Sequence, residues 1–188
     1  MPVPDRSYRF LTLCGSLRAG SLNRAVARTL AELGGAPGSV VNYEGLGGLP
    51  FFNPDVELAG PPAEVLELRG LIAAADGVVV VSPEYAHGTS GVLKNGLEWI
   101  VGGGEFTDKP TAVVTASPAV TGGDRAQAWL VETLEVMGAH LVPGSMTVPT
   151  AGLKITDGRV TDPATLAGLR AVLAALAEAA DRTDREQR

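Results

Sequence analysis

Apolar residues along this chain arrive in two alternating rhythms. Tyr8 to Cys14, Val78 to Val81 and Thr111 to Ala116 are short runs without in-out alternation and predict strands buried on both faces. Val40, Val41 and Tyr43 predict a second, short strand, and His140 to Val142, which Met146 to Val148 can extend, a fifth. Between the runs the apolar spacing turns helical: Leu22, Val26, Leu30 and Leu33, then Val65, Leu68 and Ile72, then Leu93, Leu97, Ile100 and Val101. Leu130, Leu134 and Met137 mark a fourth helix, and Leu166, Leu169, Leu173 and Leu176 a last one. Strands alternating with helices imply a parallel sheet covered on both sides, a doubly wound α/β domain. Gly45 to Pro62 reads as a long surface connection and Lys154 to Val160, with Asp157-Gly158, as a tight hairpin turn. Neither divides the domain, taken as residues 1–180, and the charged tail Asp181 to Arg188 is expected to fray.

Composition narrows the function classes. The 188 residues, 45% hydrophobic and 19% charged, are enough for one core without disulfides or metal. A net charge of -6 with scattered arginines leaves no footprint for nucleic acid. The two histidines lie far apart and the single cysteine, Cys14, ends an apolar run, so no metal site is expected and Cys14 reads as a buried core residue. No apolar run reaches the length of a bilayer span, and Met1 to Arg9 lacks a secretory h-region, so a soluble cytoplasmic protein is expected. His140 and the tryptophans Trp99 and Trp129 read as structural, although exposed tryptophans on the third and fourth helices would suit a homodimer interface. Lys94 reads as a solvated side chain or a subunit contact.

In an open parallel sheet, ligands bind beyond the carboxyl ends of the strands. Three loops lie there: Gly15 to Asn23, the Ser82 to Gly88 stretch SPEYAHG, and Ser117 to Gly123. The first joins glycines, the small polar residues Ser16, Ser21 and Asn23, and Arg18 to a helix N-terminus, an arrangement suited to a phosphate. Ser21 stands where a P-loop requires lysine, and G-x-G-x-x-G is absent despite Glu44 near the end of strand two. A monophosphate remains. Neither Ser16 nor Ser82 lies in a G-x-S-x-G elbow, so no hydrolase triad is proposed.

GSLRAGSLN, then SPEYAHGTSGVLKNGLEWI, then a Gly-Gly pair after the fourth strand resemble the NADPH-dependent FMN reductase family, which includes quinone and chromate reductases. The resemblance runs from Leu11 to about Leu176. It implies a flavodoxin-like five-stranded sheet of order 2-1-3-4-5, FMN as cofactor, NADPH or NADH as electron donor, a small-molecule acceptor, and a homodimer or homotetramer. By the same resemblance Ser16, Arg18, Ser21 and Asn23, with Leu22 between them, hold the FMN phosphate. Pro83, Glu84, Tyr85, Ala86 and His87 border one edge of the isoalloxazine, and Ser117, Gly122 and Gly123 lie near the ribityl chain. Ala86 departs from the family's usual asparagine and removes a side-chain hydrogen bond, a net cost of about 0.5–1.5 kcal/mol. Glu84 is expected to turn its carboxylate away from the ring, its backbone counting for more than its charge. No catalytic side chain is required, since flavin N5 carries the chemistry, and His87 receives no proton-transfer role at this stage. A flavodoxin-like electron carrier without nicotinamide turnover, and a flavin-free binding domain, stay open as alternatives.

Overall fold

The computed structural model describes residues 7–34 and 38–186. Five strand positions form a parallel sheet in the order 2-1-3-4-5: β1 (Tyr8–Cys14), β2 (Gly38–Tyr43), β3 (Gly77–Ser82), β4 (Pro110–Ala116) and an interrupted fifth. That fifth ladder consists of β5 (His140–Leu141), paired with Pro110 and Thr111, and β6 (Met146–Val148), paired with Val114 to Ala116. Where it breaks, the Ser145 hydroxyl accepts from the Val113 amide at 2.9 Å, so the missing backbone partner is replaced by a side chain. All residues of β3 and β4 are buried, as their unbroken apolar runs predict.

Helices α1 (Leu22–Leu33) and α6 (Pro163–Glu186) cover one face, packing Leu30, Leu173 and Leu176 on Phe10, Val79, Val81 and Val114. On the other face α3 (Ala63–Ala74), α4 (Gly91–Val101) and α5 (Asp124–Val136) set Leu68, Ile72, Leu97 and Leu130 on Leu13, Val78, Val80 and Val113. Each such side chain contributes roughly 1.5–3 kcal/mol through burial. The hairpin appears as β7 (Ile155–Thr156) and β8 (Arg159–Val160), held to α1 by the Val160 amide donating to Thr29 Oγ1.

Two expectations need correction. The connection Gly45 to Pro62 contains a further helix, α2 (Pro54–Ala59), started by the Asn53 side chain and by Pro54 in the first turn. It buries no residue, so it has no core-facing period to read. Helix α6 runs past Asp181 to Glu186, with Tyr8 donating its hydroxyl to Asp181 and Arg182 pairing with Glu178 at 2.8 Å, and the last two residues of the tail expected to fray lie outside the described residues. Among the described residues, the segment Pro163–Thr183 of α6 is also long and apolar enough to cross a membrane by length and composition, which the sequence reading had excluded. In the fold, Leu169, Val172, Leu173 and Leu176 of this segment are buried in the domain core.

Candidate functional site

The three loops meet over the carboxyl ends of β1, β3 and β4, around an open cleft of about 270 Å³. Ser16, Arg18, Ser21, Leu22, Asn23, Pro83, Glu84, Tyr85 and Ser117 all line it. Gly15 makes this meeting possible. Its amide donates to Val81 O at 2.8 Å, and a Cβ there would lie 2.6 Å from Ser90 Oγ, so any side chain would push the first loop off α4.

Within the first loop, the amides of Leu17, Arg18, Ala19 and Gly20 donate to no protein acceptor among the described residues, leaving a row of N–H groups beside the α1 N-terminus. Arg18 is exposed and donates only to Gly20 O, at 3.1 Å. Ser21 is the N-cap of α1: its Oγ accepts from the amides of Asn23 and Arg24 at 3.2 and 3.3 Å, leaving the hydroxyl hydrogen free for a ligand. Asn23 commits one of its two side-chain N–H donors within the protein. Its side-chain amide bonds both backbone groups of Ala116, at 2.9 and 3.0 Å, and so ties the first loop to the end of β4. Glu44, at the end of β2, pairs with Arg24 at 2.6 Å. Burial pushes the Cys14 thiol above its ordinary value, while the Ser16 amide opposes the shift.

The second loop is a tight turn. Tyr85 and Gly88 exchange both backbone hydrogen bonds at 2.9 Å, and the two residues between them, Ala86 and His87, have φ of 48° and 63°. Two successive left-handed residues make a turn that asparagine or glycine enters most easily. Position 86 is therefore conformationally demanding, whatever else an asparagine there would touch. The turn is braced at its base, where Pro83 is buried and Ser82 Oγ lies 2.6 Å from Thr89 Oγ1. At its tip the amides of Ala86 and His87 donate to no protein acceptor among the described residues.

Glu84 has a role that sequence reasoning missed. Helix α5 begins after Gly123, which has no side chain to cap it. The Glu84 carboxylate does so from a different loop: Oε2 accepts from the amides of Arg125 and Ala126 at 3.1 and 3.2 Å. Its other oxygen, Oε1, lies 3.5 Å from His87 Nδ1. The carboxylate thus points at the α5 N-terminus and at His87. No local signal could have exposed this contact, because donor and acceptor are 41 and 42 residues apart.

The third loop depends on its glycines. Gly122 and Gly123 have φ of 69° and 90°; a Cβ at Gly122 would lie 2.8 Å from Pro149 N, and one at Gly123 would lie 3.2 Å from Thr115 Cβ. Ser117 Oγ accepts from the Ala119 amide at 3.1 Å and closes the start of the loop. The Thr115 hydroxyl, buried beneath Gly123, has no protein partner.

Phosphate donors on one side of a cleft, an amide-tipped turn on the other and a glycine pair between them suit a flat ligand with a phosphate tail. The sequence profile described as NADPH-dependent FMN reductase matches residues 8–152, on which all three loops lie. The chain belongs to the NADPH-dependent FMN reductase family. The reductase is 36% identical over 141 residues to a quinone reductase of Escherichia coli (strain K12), covering 73% of this chain and 75% of that one. It is 34% identical over 172 residues to an NAD(P)H:quinone oxidoreductase of Solanum tuberosum, covering 87% and 88%. Among solved structures, a flavoenzyme NAD(P)H:(acceptor) oxidoreductase of Paracoccus denitrificans superposes with a TM-score of 0.80 at 30% identity, over 93% of this chain and 98% of that one. The reductase is thus an FMN-dependent NAD(P)H oxidoreductase with a flavodoxin-like fold and a small-molecule acceptor. The electron-carrier and flavin-free alternatives give way to it.

Proposed function

We propose that the reductase holds FMN across the rim formed by its three loops and passes electrons from NAD(P)H to a quinone. What carries this reading is the row of exposed amides from Leu17 to Gly20, beside the cleft lined by Ser16, Arg18, Ser21 and Tyr85, together with the exposed amides of Ala86 and His87 at the tip of the turn that follows Tyr85. Free N–H groups beside a helix N-terminus are ready donors for an anion. A phosphate answers the first set, and the carbonyl and ring-nitrogen edge of an isoalloxazine answers the second. The residues present therefore fit the group.

When bound, FMN supplies the redox chemistry, accepting electrons from the reduced nicotinamide and giving them to the acceptor. Arg18 and the Ser21 hydroxyl bind the phosphate, and Ser16 and Leu22 shape its seat. Asn23 keeps that seat at a fixed distance from β4. Pro83 and Glu84 hold the turn from which Tyr85 offers an apolar face, exposed at the cleft, to a planar ligand. Ser117, Gly122 and Gly123 leave room for the ribityl chain and for close backbone approach.

We also infer a homodimer or homotetramer, a reading that the uneven surface supports. Phe51, Val56, Leu58, Leu66, Val101 and Val136 are exposed on the α2 to α5 side, while α1 and α6 present no exposed large apolar side chain among the described residues. A groove of about 340 Å³ between α4 and α5, floored by Leu97 and walled by Trp129 and Met137, lies on the same side. Lys94, at the groove's edge, is paired with Glu98 at 2.5 Å. We assign the reductase to the cytoplasm, in keeping with its one unpaired cysteine.

The test is titration of the apo-protein with FMN, followed by anaerobic addition of NADPH or NADH. The expected result is a yellow complex with a submicromolar Kd, about -8 kcal/mol or better, bleached by the nicotinamide. The Arg18→Ala, Ser21→Ala double variant should release the flavin. A double variant that binds FMN as tightly as the wild type would refute the phosphate assignment.

A further inference from the structure

We propose that His87, oriented by Glu84, is the proton donor for two-electron reduction of the quinone. The proposal rests on the reading that this turn borders the flavin. Glu84 is fixed by two amide hydrogen bonds to the α5 N-terminus, so its second oxygen is a stationary acceptor, and that oxygen faces His87 Nδ1 at 3.5 Å. With Nδ1 directed at the carboxylate, Nε2 is the nitrogen left to meet an acceptor. The carboxylate and imidazole differ sharply in exposure: 16% of the Glu84 side chain is accessible against 69% of the His87 side chain. A shielded, immobile carboxylate behind an accessible imidazole is the arrangement that orients a proton carrier and lets solvent recharge it. The backbone agrees: His87 is held at φ 63° next to Ala86 at 48°, a strained pair kept by the Tyr85 and Gly88 bonds in the turn that follows the cleft-lining Tyr85.

The chemistry has a place for that proton. In one turnover a C–H bond of NAD(P)H breaks, its two electrons and one hydrogen leave, and the quinone becomes a hydroquinone by forming two O–H bonds. The hydride accounts for one of the two hydrogens, and the second is a proton. An N–H bond at His87 Nε2 breaks as that O–H bond forms, and water then reprotonates the imidazole. Glu84 is the positioning residue, holding Nδ1 on its own side of the ring.

Ferricyanide separates this role from a structural one, because it takes electrons one at a time and needs no proton. In His87→Gln, the ratio of benzoquinone kcat to ferricyanide kcat should fall about 100-fold, and the quinone reaction should lose its solvent deuterium isotope effect. Glu84→Gln, which keeps the side chain's shape, should shift quinone turnover in the same direction by a smaller factor. Unchanged quinone kcat and isotope effect in His87→Gln would overturn the proposal, as would equal losses with quinone and ferricyanide. A wild-type protein that fails to take up FMN would sink the cofactor site as well, an outcome told apart at the first titration by the absence of flavin absorbance.

Discussion

Replacing Glu84 by alanine should unfold α5 from its first turn and loosen the second loop in one step. The Ala126 amide would lose its only protein acceptor, whereas the Arg125 amide would keep Asp124 Oδ1 at 3.0 Å. Loss of one cap costs about 1 kcal/mol, and loss of a carboxylate from the positive end of a helix dipole a further 0.5–1 kcal/mol, roughly, at a side chain only 16% exposed. The sum, about 1.5–2 kcal/mol, corresponds to a Tm lower by roughly 3–8 °C in a domain of this size. Thermal unfolding of the apo-protein followed by circular dichroism measures this without any cofactor. Glu84→Gln keeps an acceptor and loses the charge, so it should fall between wild type and alanine. Because the same side chain anchors the turn, FMN affinity of the alanine variant should weaken by about tenfold. An alanine variant that melts within about one degree of wild type would show that α5 needs no cap from another loop, and the argument linking the two loops would fail.

The left-handed pair in the turn makes Ala86→Asn stabilising by up to about 1 kcal/mol, since asparagine tolerates that region better than alanine; a lower urea midpoint would contradict this. Gly122→Ala should be destabilised by at least about 2 kcal/mol, because its Cβ would meet backbone at 2.8 Å at a positive φ, and it should also lose FMN. The raised Cys14 pKa has a definite sign. Below 9.0, the thiol's ordinary value, both states are neutral and stability is complete; above it the unfolded chain ionises first, and stability is lost until the folded thiol follows. Urea midpoints should therefore fall with alkaline pH more steeply in the wild type than in Cys14→Ala, and parallel slopes would refute the assignment.

Much of the site was legible because its parts are local. A helix cap such as Ser21, a glycine pair at positive φ and a proline leaving a buried strand are written within a few residues of where they act. The tie from Asn23 to Ala116 was not legible, because that partner is 93 residues away. Helix α2 was missed because it buries nothing, and the presentation of Phe51 likewise. Phe51 is 90% exposed, yet the backbone around it is clamped by Asn95, which accepts from the Phe52 amide and donates to Pro50 O, and by Trp99, which donates to the same Pro50 oxygen.

The sequence by itself determined the layered α/β architecture, the strands that would be fully buried and the three loops that would follow the carboxyl ends of the strands, since hydrophobic period and turn chemistry are properties of neighbouring residues. Only the tertiary structure decided that Glu84 would cap α5, that His87 would face Glu84 and that Ala86 and His87 would be forced into left-handed geometry. Those outcomes depend on where loops far apart along the chain converge in space, and the packing of the sheet, not the spacing of residues, sets that convergence.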